Sequence, residues 1–296
     1  MIQVNNLHKA FASVPAVDGI SFDIRQGETF GLLGPNGAGK TTTIHMLAGV
    51  LRPDAGQVSI NGTSDPTRLE VRQHLGVAPQ ALALYEGLSA EENIAFLAKL
   101  YGLSGPRLKE RVAWALEFAG LTERRSDRIS TYSGGMKRRL NLACALVHDP
   151  TVVFLDEPTV GVDPQSRNYI FSGIEALAKE GRTILYTTHY MEEAQRLCDR
   201  VAIMDRGRIL ALDTVENLID RHGGQSLVEA ELEGNAPDEV QLPGRPEDGV
   251  LRFSSSTPFE EAARLVAAGV KFASFRVERP NLEVVFLALT GRRLRD

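Results

Sequence analysis

A glycine-rich stretch near the N-terminus has residue types that suit the binding of phosphate groups. It consists of Gly34, Pro35, Asn36, Gly37, Ala38, Gly39, Lys40 and Thr41, and Thr42 continues into the next segment. Glycines let the backbone curl so that N–H groups point at phosphate oxygens, and a following helix adds the positive end of its dipole. In this pattern Lys40 would bridge the β- and γ-phosphates and Thr41 would bind Mg²⁺. The stretch therefore predicts a nucleotide site.

An acidic pair follows an apolar run later in the chain. The run Thr151–Leu155 is typical of a strand buried on both faces of a parallel sheet, and Asp156 and Glu157 come directly after it. Ligands bind at the carboxyl ends of such strands. Asp156 would hold Mg²⁺ through water, and Glu157 would polarise the attacking water, either as a general base or by positioning the water. Two solvated carboxylates are the simpler interpretation of the pair alone, but the phosphate-binding stretch upstream makes that interpretation much weaker.

A third element lies between these two, at Ser133-Gly134-Gly135-Met136. Ser133 can cap a helix whose free N–H groups can receive an anion. Taken by itself, the segment could equally be an ordinary capped helix start after a glycine turn.

The order of the three elements resembles that of the nucleotide-binding subunit of ABC transporters, over residues 1–217. In that family the third element is the signature motif, which contacts the γ-phosphate bound by the opposite subunit. This chain has Tyr132 where the commonest form has Leu. The difference concerns flanking packing rather than the anion contact of Ser133, Gly134 and Gly135, so we expect these four positions to border the nucleotide.

Four further positions match the family. Gln80 matches the glutamine whose loop touches Mg²⁺ and water and reports to the membrane partner. Asp163 matches the loop that contacts the facing subunit, and His189 matches the switch histidine that hydrogen-bonds to the γ-phosphate. Phe11 is the best match to the aromatic residue that stacks on adenine, with ordinary core packing as the alternative. Without the resemblance, Gln80 and His189 would be unremarkable loop residues.

The resemblance implies ATP and Mg²⁺ as ligands and two chains paired head to tail. The chain carries one copy of each motif, so a homodimer is the simplest arrangement. A separate integral-membrane permease would dock near Gln80, Tyr85 and Glu86, which implies a peripheral location on the cytoplasmic face of the membrane. One face of the dimer interface would supply Lys40, Thr41, Gln80, Asp156, Glu157 and His189, and the other would supply Ser133, Gly134 and Gly135.

The implied fold is an α/β core of the P-loop NTPase, ABC type, with an antiparallel β subdomain and a helical insert at about residues 85–145. Period-2 patterning in residues 1–30 predicts strands, and the apolar runs Thr29–Leu33 and Thr183–Thr187 predict buried ones. A helix is predicted from Lys40 to Leu51. From residue 90 to residue 119 apolar side chains recur at three- and four-residue spacing, which predicts helices.

The chain changes character after residue 217, which predicts a small accessory α+β domain at 218–296. Its expected elements are strands at 226–232, 250–254 and 272–277, helices at 258–268 and 281–290, and a loop at 234–249. The segment from Pro280 to Gly291 resembles the C-terminal ending of daunorubicin-resistance-type exporter ATPases. This resemblance favours export over import.

Composition excludes several classes of protein. The chain has 296 residues and a formal net charge of −5, so it lacks the basic field typical of nucleic-acid binding, and we expect no nucleic-acid partner. Its two cysteines, Cys144 and Cys198, have no disulfide or metal-ligand spacing. There is no signal peptide pattern and no run near the roughly 20 apolar residues that span a bilayer. Another chain would have to supply a pore.

Three alternatives remain beside the transport interpretation. A non-transport ABC ATPase would act on ribosomes or DNA, but such proteins have tandem ATPase units or long coiled coils, and this chain shows neither. A kinase or GTPase would share the phosphate loop but would not explain Ser133-Gly134-Gly135 followed by His189. A silent binding module conflicts with the intact Lys40 and Glu157.

Overall fold

The chain divides into two compact units in the computed structural model, which describes residues 2–234, 237 and 239–291. The first unit extends to Val215 and the second begins at Glu216, whereas the sequence prediction placed the boundary after residue 217. Within the described ranges, no helix combines the length and the apolar character needed to cross a bilayer.

The first unit alternates strands and helices along most of its length. Two short 3₁₀ turns, Thr122–Arg124 and Ile129–Thr131, lie between its fourth and fifth helices. In chain order its elements are β1 (Ile2–Phe11), β2 (Val14–Ile24), β3 (Thr29–Leu33), α1 (Lys40–Leu47), β4 (Ala55–Ile60), α2 (Leu69–Arg72), β5 (Leu75–Ala78), α3 (Ala90–Leu100), α4 (Gly105–Phe118), α5 (Gly134–Leu146), β6 (Val152–Asp156), α6 (Pro164–Lys179), β7 (Thr183–Thr188), α7 (Met191–Leu197), β8 (Arg200–Asp205) and β9 (Arg208–Thr214).

Six strands form the central sheet, in the order β5-β6-β7-β3-β8-β9. Neighbouring strands from β5 to β8 are parallel, and β9 pairs antiparallel with β8 at the edge. Every residue of β3, β6 and β7 is buried, which explains their apolar runs. Leu33 pairs with Thr188 and Asp156 pairs with Thr187. The carboxyl ends of these three strands therefore meet at one edge of the sheet.

A second sheet of the first unit has the antiparallel order β2-β1-β4. In β1, Ile2 and Val4 are buried while Gln3 between them is exposed, so the period-2 prediction for this region is confirmed. Phe22 of β2 stacks on Phe30 of β3, with ring centroids 5.2 Å apart. The packing joins this sheet to the hydrophobic core of the central sheet.

Helix α1 is shorter than predicted, because it ends at Leu47 and not at Leu51. Gly49 has a φ of 67°, in the left-handed region. Its N–H donates to the carbonyl of Met46, and the N–H of Val50 donates to the carbonyl of His45. This pair of bonds is the Schellman ending of a helix, which glycine favours. The helical pattern of the sequence extended past this glycine, and the prediction was therefore wrong at that end.

Three helices, α3, α4 and α5, form the insert between the sheet strands. Helix α3 begins with a capping box in which Ser89 and Glu92 bond to each other's backbone N–H groups. The apolar faces of the three helices share one core, which includes Ile94, Leu116 and Leu140. The predicted helical insert is confirmed.

Over its described residues, the second unit is a three-stranded antiparallel sheet with three helices. Its elements are α8 (Val215–His222), β10 (Ser226–Leu232), β11 (Val250–Ser255), α9 (Pro258–Ala267), β12 (Phe272–Glu278) and α10 (Leu282–Thr290), and its sheet order is β11-β10-β12. One face of the sheet packs its own small core, which includes Val228, Phe253 and Leu265. The α+β character predicted for this part of the chain is confirmed.

Candidate active site

Two glycines of the phosphate loop lie where no side chain could be accommodated. A Cβ at Gly34 would lie 2.1 Å from the carbonyl oxygen of Met204 in β8, and one at Gly39 would lie 2.3 Å from that of Ala16 in β2. Gly39 also has a φ of 104°, which favours glycine. A Cβ at Gly37 would meet nothing within 4 Å, so the middle of the loop is open. Close backbone contacts thus require glycine at positions 34 and 39.

The N-terminus of α1 fits an anionic phosphate group. Its N-cap is Gly39, no side chain caps the helix, and its first turn contains no acidic residue. The first N–H groups of a helix need an acceptor from outside the helix, and phosphate oxygens are suitable acceptors. Among the other loop residues, Ala38 is buried, Pro35, Thr41 and Thr42 are half-buried, and Asn36 is exposed.

Lys40 and Glu157 form a buried ion pair at the edge of the central sheet. Lys40 Nζ lies 2.9 Å from Glu157 Oε1, and the two side chains are 4% and 5% exposed. The same ammonium donates to the carbonyl oxygens of Gly34 at 2.7 Å and Pro35 at 3.1 Å. The two groups were predicted to share one site, and the sheet brings them into contact because β3 and β6 end at the same edge.

The second oxygen of Glu157 faces the two other residues predicted to be catalytic. Gln80 Nε2 lies 3.4 Å from Glu157 Oε2, and His189 Nδ1 lies 3.3 Å from the same oxygen. The His189 contact lacks hydrogen-bond alignment, and Nδ1 is buried without another partner. Gln80 and His189 follow β5 and β7, the strands on either side of β6. The parallel order of the strands thus gathers both at Glu157.

Thr187 orients the acidic pair, although no sequence motif points to it. Its hydroxyl donates to Asp156 Oδ1 at 2.7 Å and accepts from the N–H of Glu157 at 3.0 Å. The Asp156 carboxylate is only 1% exposed. Glu157 has a φ of 46°, which is uncommon outside glycine. A threonine within a buried strand carries no sequence signal for such a role, because threonine is common in strands.

The signature segment contains the exposed start of α5. Ser133 caps the helix by accepting from the N–H of Met136 at 3.2 Å, and both Ser133 and Gly134 are exposed. Gly135 is buried, and a Cβ there would lie 2.9 Å from Asp163 Oδ2. Asp163 caps α6 by accepting from the N–H of Ser166 at 2.9 Å, a bond that lowers the pKa of the Asp163 carboxyl. The structure thus places Gly135 against Asp163.

Tyr132 and Phe11 differ in their exposure. Tyr132 is 6% exposed in the core of the helical insert, and its hydroxyl donates to the carbonyl of Arg124 at 2.5 Å. Its ring therefore serves packing, and only its backbone could border a ligand. Phe11, at the end of β1, is 52% exposed. Its exposed ring is free of the core packing that was the alternative role for this residue.

Glu193 of α7 is a buried carboxylate that links the loops beside the site. It is 3% exposed and accepts hydrogen bonds from three hydroxyls, those of Thr159 at 2.7 Å, Tyr186 at 2.8 Å and Thr188 at 2.7 Å. Thr159 lies two residues after Glu157, and Thr188 lies directly before His189. Burial and the nearby Glu193 charge raise the pKa of the Tyr186 hydroxyl. No sequence pattern indicates that Glu193, rather than its neighbour Glu192, is the buried one.

A phosphate loop and an acidic pair at the ends of buried parallel strands define a P-loop protein that hydrolyses a nucleotide. A family model described as ABC transporter matches residues 17–160. The chain is 42% identical to the linearmycin resistance ATP-binding protein LnrL of Bacillus subtilis (strain 168), over 100% of both chains. It is 41% identical to the Nod factor export ATP-binding protein I of Burkholderia pseudomallei (strain 1710b), over 100% of this chain and 98% of that protein.

The chain belongs to the ABC transporter family, as an ATP-binding and ATP-hydrolysing subunit of the exporter type. A solved structure, the dimeric bacterial ABC transporter cassette MJ0796, matches it with a TM-score of 0.67 and 25% identity, over 72% of this chain and 98% of that one. The predicted family and the predicted fold class are both confirmed.

Proposed function

We propose that two copies of this ATPase close head to tail on two ATP molecules and so drive export through a separate membrane permease. The observation that carries the proposal is the position of Glu157, which contacts Lys40, Gln80 and His189 while the start of α5 stays exposed. The chain thus has one group of side chains suited to hydrolysis and, at Ser133–Gly134, an exposed helix start that a second chain could bring to the phosphate.

Each residue of the site has a role in this proposal. Lys40 and the N–H groups of α1 bind the β- and γ-phosphates, and the exposed Phe11 stacks on the adenine. Glu157 accepts a proton from the attacking water, and His189 hydrogen-bonds to the γ-phosphate. Ser133, Gly134 and Gly135 of the second copy complete the phosphate contacts, beside Asp163.

Mg²⁺ fits the same edge of the sheet. Thr41, Asp156 and Gln80 would hold it, since hydroxyl, carboxylate and amide oxygens are the ligands that Mg²⁺ prefers. When bound, the ion neutralises charge on the phosphates. Asp156 is already oriented by Thr187, which fits a carboxylate whose direction matters.

The permease would dock on an exposed apolar strip, which we call the docking strip and define as Leu82, Tyr85, Phe96 and Leu100. These side chains are 40%, 53%, 40% and 67% exposed. Tyr85 and Phe96 touch edge to face, with ring centroids 5.1 Å apart. The strip begins two residues after Gln80, so a docked permease would contact the segment that carries a catalytic side chain. Binding there would hold the chain at the cytoplasmic face of the membrane.

The names of the two relatives refer to resistance and to export. They favour a transport role for this chain over a non-transport role. We propose that the cargo is selected by the permease, because every site residue named above serves the nucleotide, the second copy or the permease.

Replacing Glu157 tests the proposal. Glu157→Gln should keep ATP binding but slow hydrolysis by roughly 10²–10⁴-fold, the usual contribution of a general base. With ATP the variant should accumulate as a dimer, which light scattering after gel filtration would measure. Glu192→Gln, at an exposed neighbour of Glu193, is the control. If the Glu157→Gln variant hydrolyses ATP at the normal rate, the role proposed for Glu157 is wrong.

A further inference from the structure

Arg138 of α5 is a buried arginine that reaches two loops of the active site. It is 9% exposed. Its Nη1 donates to the carbonyl oxygens of Gln80 at 2.6 Å and Pro79 at 3.4 Å, and its Nη2 donates to that of Val160 at 3.4 Å. One guanidinium thus joins the segment that carries Gln80 to the segment that follows Glu157.

Charge as well as hydrogen bonding favours this position. Burial lowers the pKa of the Arg138 guanidinium, and the carboxylates of Asp156 and Glu157 oppose that shift. Arginine remains protonated in proteins, and its planar fork of donors can serve two acceptor groups at once. The catalytic carboxylates therefore stabilise the charge that holds the two loops together.

The same flank of α5 makes further bonds to the segment after β5. Asn141 donates from Nδ2 to the carbonyl of Pro79 at 3.2 Å and accepts from the N–H of Ala83 at 2.9 Å. Lys137 Nζ lies 2.5 Å from Glu86 Oε1. The segment that contains Gln80 and Tyr85 is thus attached to α5 at three successive places, and α5 is a continuous helix whose first residues are the signature glycines.

The second loop held by Arg138 leads to the residues beside the signature glycines. The N–H of Val160 donates to the carbonyl of Glu157 at 3.3 Å, and Asp163, three residues later, packs against Gly135. A displacement of Glu157 or of Gln80 would therefore pull on Arg138, which lies five residues from the helix cap at Ser133.

We propose that Arg138 is a positioning residue that couples each chain's own ATP site to the signature segment it presents to the ATP of the other chain. The coupling rests on the head-to-tail dimer of the proposed function. In that dimer the two ATP sites share two copies of α5, and Arg138 makes a change of Gln80 or Glu157 in one site move Ser133 and Gly134 in the other. ATP hydrolysis is then cooperative between the sites.

The test compares Arg138→Gln with Arg138→Lys in the full-length chain. With two coupled sites the Hill coefficient for ATP hydrolysis can approach about 2, and we expect it to fall towards about 1 in Arg138→Gln. In Arg138→Lys the Hill coefficient should fall part of the way, because an ammonium has no planar fork of donors to bridge two loops. The affinity of the monomer for a fluorescent ATP analogue should change little, because Arg138 donates to the carbonyls of Pro79, Gln80 and Val160 and not to the phosphate loop.

Arg111 provides a matched control. It is 7% exposed, and its guanidinium also donates to backbone carbonyls, those of Leu146 and Val147, both at 2.9 Å. Arg111 belongs to α4 and contacts the end of α5 that is far from the signature glycines. Arg111→Gln should therefore lower the unfolding temperature while leaving the Hill coefficient as in the unsubstituted chain. An equal fall of the Hill coefficient in both variants would show a general effect of lost stability and would overturn the proposal.

The remaining outcomes also decide. If Arg138→Gln does not fold, Arg138→Lys decides alone, and an unchanged Hill coefficient in that variant overturns the proposal. An unsubstituted chain that dimerises with ATP but has a Hill coefficient of one overturns the coupling and leaves the proposed function intact. If Glu157→Gln stays monomeric with ATP, the proposed head-to-tail dimer is wrong. That outcome contradicts the proposed function and not only the role of Arg138.

Discussion

At the scale of single residues, the Glu157 carboxylate is the group with the most demanding surroundings. It is buried, it pairs with Lys40, and its backbone has the left-handed φ of 46°. Such conformations persist only where neighbouring groups hold them. Here the hydroxyl of Thr187 accepts a hydrogen bond from the N–H of Glu157. A buried charge in a strained backbone costs stability, so its retention fits a group that performs chemistry.

The first prediction concerns the charge balance of this pair. Lys40→Met should abolish ATP binding and also lower the free energy of unfolding by on the order of 3 kcal/mol, because Glu157 would be left as an uncompensated buried charge. Lys40→Met combined with Glu157→Gln should regain that stability without regaining ATP binding. Urea unfolding of the three proteins measures the effect. Equal stability of Lys40→Met and the unsubstituted chain would contradict the prediction.

At the scale of elements, the type of an element could be predicted from its own segment, whereas its exact end and its contacts with other segments could not. The buried strands were predicted because an apolar run such as Thr151–Leu155, too short for a typical helix, is characteristic of a strand inside a parallel sheet. The end of α1 was missed because it depends on the φ of Gly49. Glu193 and Arg138 were missed because their neighbours Glu192 and Arg139 have the same residue types. Only the packing of α7 and α5 against other segments distinguishes them.

A histidine that follows the helical insert is kept uncharged by its packing. His148, just after α5, stacks on Tyr101 with ring centroids 3.6 Å apart, and its Nε2 lies 3.2 Å from the carbonyl of Leu75. Its Nδ1 is buried without a partner. Burial, together with the charge of nearby Arg111, lowers the pKa of His148 to about 4.

This packing predicts a pH dependence of stability. Between the ordinary pKa of 6.5 and the folded value of about 4, the unfolded chain binds a proton that the folded chain does not. The contribution of His148 is thus complete above pH 6.5 and declines by about 3 kcal/mol as the pH falls to 4. His148→Phe, which keeps the stacked ring, should flatten this decline in urea unfolding series. His74→Phe, at an exposed position, is the control, and an unchanged slope in His148→Phe would contradict the assignment.

At the scale of the whole molecule, the proposed functions all belong to the first of the two units. All the proposed ATP-site residues, from Phe11 to His189, and the docking strip belong to the first unit. The second unit has a hydrophobic core of its own and exposed apolar side chains of its own, such as Phe259, which is 62% exposed. Exposure alone therefore does not distinguish the docking strip from a surface of the second unit.

Cross-linking to the permease separates the two surfaces. Tyr85→Cys should form a cross-link to the permease in membranes that contain both proteins, because it lies in the docking strip next to the Gln80 segment. Phe259→Cys, which is at least as exposed, is the matched control and should form none. A cross-link from Phe259→Cys alone would move the docking surface to the second unit.

The hydroxyls around the Glu193 carboxylate constrain how this chain can change over evolutionary time. Tyr186→Phe would remove one donor, and Glu193→Gln would place an amide among hydroxyls that now all donate. Each single substitution leaves a buried polar group with a poorer partner. A second substitution in the cluster is therefore tolerated only once the first has been made. Lineages that lose the acid at this position should therefore have lost the hydroxyls of Thr159, Tyr186 and Thr188 together with it, and intermediates should be scarce.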